Sequence, residues 1–70
     1  MTIAREQIAK AKALGYEVAI KEGEATYWQG YRGEWIEADE MWDYPADHFD
    51  NEEVKELAYL TEEKVVVIIL

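Results

Sequence analysis

The 70-residue sequence contains no Cys and no Ser, one Pro and one His, and only seven basic residues. Without Cys, disulfides, a thiolate zinc site and a Cys nucleophile are all excluded. The three Thr residues have no catalytic base near them in sequence, so a hydroxyl nucleophile is not indicated either. The four scattered glycines form neither a phosphate-binding loop nor a dinucleotide fingerprint. The sequence therefore predicts no cofactor.

Sixteen acidic residues face those seven bases and give a net charge of −9. Half of the residues are apolar and 13% are aromatic, which is too rich for a disordered acidic tail. We therefore predict one folded domain over residues 1–70. The charge argues against direct binding to nucleic acid or to an anionic membrane, because both need Lys and Arg to neutralise phosphates. It favours a basic protein as the partner.

No basic region followed by an apolar run opens the sequence. The longest apolar run, Val65 to Leu70, is too short to cross a bilayer. A cytoplasmic location is therefore expected.

The N-terminal residues show helical periodicity. Thr2 can cap a helix and Gly15 can end it, and five apolar residues between them fall on one stripe, namely Ile3, Ala4, Ile8, Ala11 and Leu14. We predict a helix over residues 3–14.

Alternating residues follow from Tyr16 onward, with turn signals at 22–23 and 32–33. This pattern predicts an antiparallel meander with strands near 16–21, 24–31 and 34–38. Gly30, inside the second of these strands, indicates a bulge or a close backbone approach.

Pro45 rules out a continuous helix through the residues that follow the meander. Asp50 and Glu53 have the spacing of an acidic capping box, and Val54, Leu57 and Ala58 recur behind them at helical spacing. We therefore predict a second helix over residues 51–60. The acidic loop and the start of this helix span residues 39–56.

The last six residues, Val65 to Leu70, are apolar on both faces of a strand, which indicates a central position in the sheet. The predicted class is α+β, in the order α-β-β-β-α-β, with the last strand parallel to an earlier one in a mixed sheet. If both helices lie on one face, half of the last strand and Trp28 face water. A patch of that kind needs a partner. Either the two helices divide between the faces of the sheet, or the protein forms a homodimer.

The charge is concentrated in the middle of the chain. Residues 34–56 hold ten acids and one Lys, whereas the remaining residues are neutral in sum. Such crowding costs self-repulsion, and the three- and four-residue spacing of the acids from Asp39 to Glu56 imitates part of a phosphate backbone. Aromatic residues beside the acids can serve as anchors. The candidate partner-binding residues are Glu37, Asp39, Glu40, Trp42, Asp43, Tyr44, Asp47, Asp50 and Glu53.

These features predict a small acidic inhibitor that occupies a basic, nucleic-acid-binding surface of another protein. Phage anti-CRISPR and anti-restriction inhibitors and bacterial antitoxins act in this way as classes, and this chain shares only their size and charge. In the alternative interpretation, the segment is a solvated acidic loop whose aromatics fill the core.

Two other functions stay open. One is a structural or accessory homodimer that uses its apolar sheet face. The other is an enzyme that uses a carboxylate pair such as Asp43 and Asp47, and it would need a raised pKa within a cleft; we expect no enzyme. No metal site is predicted, because His48 has no second His or Cys and the calcium-loop pattern is absent.

Overall fold

The computed structural model describes residues 2–40 and 42–70, which form one helix and six strands in a mixed sheet. The elements are α1 (Ala4–Ala13), β1 (Glu17–Glu22), β2 (Ala25–Gln29), β3 (Trp35–Glu37), β4 (Asp43–Tyr44), β5 (Glu56–Leu60) and β6 (Val65–Ile69). The strands lie in the order β4-β3-β2-β1-β6-β5. The predicted α+β class is confirmed. Among the described residues, no helix has the length and apolar character needed to cross a membrane.

The start of α1 is held by backbone groups from a distant segment. The amide of Ala4 donates to the Glu52 carbonyl at 2.8 Å, and the amide of Arg5 donates to the Asp50 carbonyl at 3.0 Å. The expected capping by the Thr2 side chain is wrong, because the cap position falls one residue later and makes no side-chain bond. The two carbonyls satisfy helix amides that otherwise need a cap.

The predicted meander is confirmed as β1, β2 and β3, and β4 extends it by one short strand. Gly23 and Gly33 adopt positive φ angles of 62° and 88° at the two predicted turns, a conformation that favours glycine. Gly15 ends α1 as predicted, with φ 79°. The expectation at Gly30 is wrong, because Gly30 follows β2 rather than lying inside it, and an added Cβ would meet the Glu34 carboxylate and not another backbone.

The second predicted helix, over residues 51–60, is wrong. Residues 56–60 form β5, which pairs antiparallel with β6 through the turn at 61–64, and Glu53 forms an isolated bridge with Ile3 instead of a capping box. The physical reason lies in β6, which is apolar on both faces and needs hydrogen-bonding neighbours along both edges. Strand β1 supplies one edge in parallel, and β5 supplies the other. The predicted central, parallel position of the last strand is confirmed.

Two hydrogen bonds define which backbone groups remain free at the β5 edge. The amide of Glu17 donates to the Lys64 carbonyl and the amide of Leu70 donates to the Lys21 carbonyl, each at 2.9 Å. The even-numbered residues of β6 therefore direct their backbone groups to β1, and the odd-numbered ones to β5. In β5 the even-numbered residues are paired with the odd-numbered residues of β6, so their backbone groups bond to β6. The amide and carbonyl of Leu57 point to the other side, away from the sheet.

The core lies on one face of the sheet. The described elements on this face are α1 and the irregular segment 45–55, which inserts Phe49. The buried residues of this core are Ala4, Ile8, Ala11, Val18, Ile20, Tyr27, Trp35, Phe49, Val66 and Ile68. Within residues 2–40 and 42–70, no element covers the opposite face.

Candidate protein-interaction surfaces

Four of the nine predicted partner-binding residues project from the β3–β4 hairpin. Asp39, Glu40 and Asp43 are exposed, and the Trp42 side chain is 63% exposed. The hairpin is tied together by the Glu37 amide, which donates to the Trp42 carbonyl at 2.9 Å. We call these four residues the acidic turn.

The acids of this turn are not neutralised within the chain. Across the part of the chain that the structure describes, no Lys or Arg nitrogen lies within 4.0 Å of a carboxylate oxygen. Three negative charges beside an exposed indole therefore face solvent with their full electrostatic potential, apart from screening by salt.

Glu37 and Tyr44 have contacts within the protein instead. The Tyr44 hydroxyl donates to Glu37 Oε1 at 3.4 Å, and the Tyr44 ring packs edge-on against Tyr27, with the ring centroids 5.5 Å apart. Burial raises the pKa of the Tyr27 hydroxyl above its ordinary value of 10.0, and the neighbouring Glu37 charge raises it further. This cluster stabilises the base of the hairpin.

Asp47 and Asp50 lie on the helix side of the sheet. Together with Arg5 and Lys12 of α1 they line an open groove of about 290 Å³. Opposite charges along one groove partly balance each other, so these two acids contribute less negative potential than the acidic turn does. Glu53 is also exposed, beside its bridge to Ile3.

The aromatic residues of residues 39–56, which we call the acidic segment, divide between the core and the surface. Phe49 is 1% exposed and packs against Tyr27 and Trp35, with centroid distances of 4.8 and 5.7 Å. Trp42 faces solvent. Phe49 therefore fills the core, as the alternative interpretation of the acidic segment expects. Trp42 is still free to anchor a partner.

The predicted acids do not form a single row. Glu37 is paired with the core residue Tyr27 and points to the helix side, whereas Asp43 is paired with Ile36 and points to the other side. Because residues 51–60 form no helix, the expected helical spacing of carboxylates between Asp50 and Glu56 is absent as well.

The uncovered side of the sheet is a second surface, which we call the open face. One row crosses it, strand by strand from β3 to β5, through Ile36, Trp28, Ala19, Val67 and Ala58. Trp28 and Leu60 are 41% and 42% exposed. The apolar residues of the open face are Ala19, Trp28, Ile36, Ala58, Leu60, Val65, Val67 and Ile69. An apolar patch of this extent is typical of a protein–protein interface.

The strands place four charged residues on the open face, namely Glu17, Lys21, Asp43 and Glu56. Lys21 of β1 and Glu56 of β5 are both paired with Ile69 of β6, one strand to each side of it. Interfaces are depleted of charge at their centres and carry it at their rims.

The sequence indicated that half of the last strand and Trp28 would face water if both predicted helices lay on one face. With the one described helix on one face, Trp28 is exposed and Val65, Val67 and Ile69 are partly exposed. The groove beside Arg5 and Lys12 was missed, because its two sides are about forty residues apart in sequence and no local pattern connects them. Among the described residues, no group of three His, Cys, Asp or Glu side chains is arranged to hold a metal ion.

No protein-family model, curated protein or solved structure matches this chain. Its function is therefore inferred from the acidic turn and the open face.

Proposed function

We propose that this chain is a small acidic binding protein that occupies a basic, nucleic-acid-binding surface of another protein and so blocks it. The observation that carries the proposal is the acidic turn, in which three exposed carboxylates flank an exposed indole on one hairpin. The other predicted contact residues are hydrogen-bonded internally, placed beside bases, or removed from the turn.

Charge supports a basic partner. A net charge of −9 attracts cationic proteins and accelerates their encounter, and it repels nucleic acid. Because no described Lys or Arg pairs with the acids of the turn, a partner's bases need not displace an internal ion pair. This lowers the cost of forming the complex.

Trp42 supports a specific rather than a purely electrostatic contact. Trp42 is 63% exposed beside a hydrogen-bonded strand pair, and a large aromatic side chain buries much apolar area for few rotatable bonds when it enters a pocket. The surrounding carboxylates would then form the polar rim.

The experiment compares two variants with equal charge loss. In the turn variant, Glu40→Gln and Asp43→Asn remove two charges from the acidic turn. In the control, Glu62→Gln and Glu63→Gln remove two exposed charges from the β5–β6 turn. Each protein is immobilised, incubated with a set of purified basic nucleic-acid-binding proteins, and eluted with salt. Captured proteins are then tested for release of their labelled nucleic acid.

We expect capture by the wild type and by the control, at least tenfold weaker capture by the turn variant, and a further loss with Trp42→Ala. The captured protein should release its nucleic acid as the wild type is added. Equal capture by the turn variant and the control, or a captured protein that keeps its nucleic acid, would contradict the proposal.

A further inference from the structure

We infer that the open face binds a second copy of this chain, in a two-fold dimer whose axis runs along β6 between the two stacked sheets. This dimer does not depend on the proposed inhibitor function, because it uses a different surface.

The register of the strands makes Lys21 and Glu56 of the open face complementary between two copies, while Glu17 of β1 meets the partner's Leu60. Lys21 and Glu56 lie on the two strands that flank β6, in the row of Ile69. Neighbouring strands are about 4.8 Å apart, so the two charges lie at nearly equal distances from β6 on opposite sides. A two-fold axis along β6 exchanges these sides. Each Lys21 then faces the Glu56 of the other copy, and the contact occurs twice.

The same axis stacks apolar residues on one another. Val65, Val67 and Ile69 of one copy meet the same residues of the other, and Ala19 of β1 meets Ala58 of β5. Two sheet faces pack about 10 Å apart with their strands near parallel, and the small Ala side chains permit this approach. Trp28, one strand beyond β1, reaches past the partner's β5 edge and covers it.

The size of the face sets the strength of the dimer. Three strands of about five residues, β1, β6 and β5, face each other in this arrangement and give a projected face of roughly 240 Å² per copy, with Trp28 at its border. Stable interfaces bury about 1,200 Å² or more in total, so this dimer should be weak and should depend on protein concentration. The net charge of −9 on each copy opposes association further.

Sedimentation velocity over a range of protein concentrations tests the arrangement, with Glu56→Lys as the deciding variant. This substitution changes the net charge from −9 to about −7, and the weaker general repulsion would by itself tighten the dimer. The proposed geometry places the new Lys opposite Lys21 and predicts dimerisation roughly tenfold weaker. The control, Glu62→Lys, makes the same change in net charge in the exposed β5–β6 turn and should dimerise at least as tightly as the wild type.

The double variant Lys21→Glu/Glu56→Lys restores the opposite pairing at the wild-type net charge, and we expect its dimerisation within about threefold of the wild type. Both positions are exposed, and urea unfolding of each variant checks that it remains folded. A wild type that stays monomeric up to about 1 mM would overturn the inference. So would a Glu56→Lys variant that matches Glu62→Lys, or a double variant that fails to recover.

Discussion

Phe49 should determine whether the acidic segment is ordered when the chain is alone. Within the described segment 45–55, Phe49 is the one residue that is fully buried. Its ring contacts Tyr27 and Trp35. Replacing a buried Phe by Ala costs about 3–5 kcal/mol. A chain of this length is stable by only about 4–10 kcal/mol. Phe49→Ala should therefore remove much or all of the stability.

Phe49→Leu separates the loss of aromatic contacts from the loss of volume. Leu keeps most of the apolar volume and loses the tilted and edge-on ring contacts, each of which contributes about 0.5–1.5 kcal/mol. We expect a cost of about 1–2 kcal/mol. Urea unfolding followed by Trp fluorescence, at low protein concentration to avoid self-association, measures both variants.

Trp42→Ala is the matched control, because it removes a larger aromatic residue from the same segment at a position that is 63% exposed. Its cost should stay within about 0.5 kcal/mol. If Phe49→Ala costs less than about 1 kcal/mol, Phe49 does not anchor residues 45–55, and the order of that part of the chain needs another explanation.

Three further predictions test the backbone and the Tyr27 environment. Gly15→Ala should cost about 1 kcal/mol in urea unfolding, because φ is 79° while the added Cβ meets nothing within 4 Å. Ala58→Pro should cost about 3 kcal/mol or more and Leu57→Pro clearly less, since only the amide of Ala58 bonds to β6; equal costs would argue against the strand. The raised pKa of Tyr27 contributes stability that is present below pH 10.0 and lost as pH rises through the folded-state pKa. Unfolding measured between about pH 9 and 11.5 should show this loss in the wild type and a smaller one in Tyr27→Phe.

Local signals were sufficient for the first half of the fold. The stripe on α1 and the stop at Gly15 reflect contacts within a few residues, and so do the turns at Gly23 and Gly33. The meander needs only hairpin pairing between neighbouring strands, and such short-range contacts leave a direct pattern in the sequence.

The prediction of a helix over residues 51–60 failed because the local sequence pattern of this segment and its place in the folded chain disagree. Glu, Lys, Leu and Ala are strong helix formers, and Val54, Leu57 and Ala58 happen to have helical spacing. As an edge strand beside the open face, β5 is apolar on both sides and shows no alternation. The pairing with β6 overrides the propensity. Two signals pointed to it, namely the polar residues 61–64 between two apolar runs and the need of β6 for a second neighbour.

The candidate interaction residues were predictable only in part, because the sequence shows where charge lies along the chain and the fold decides which charges lie together. Asp39, Glu40, Trp42 and Asp43 remain together because they share one hairpin. Asp47 and Asp50 face Arg5 and Lys12 because the chain crosses back over α1. Only the three-dimensional course of the chain brings that last group together.

The affinities of the two proposed complexes, the dimer and the complex with a basic partner, should change in opposite directions when salt is added. Association of two chains of charge −9 is opposed by repulsion, which salt screens over a Debye length of about 8 Å at physiological ionic strength. A complex with a basic partner is favoured by attraction, which salt weakens. Raising salt from about 0.05 to 0.5 M should therefore strengthen the dimer and weaken partner capture.

Asp43 lies on β4, four strands from β6, so the dimer leaves both acidic turns free. Partner binding should then compete little with dimerisation, and a partner that dissociates the dimer would show that it binds the open face instead.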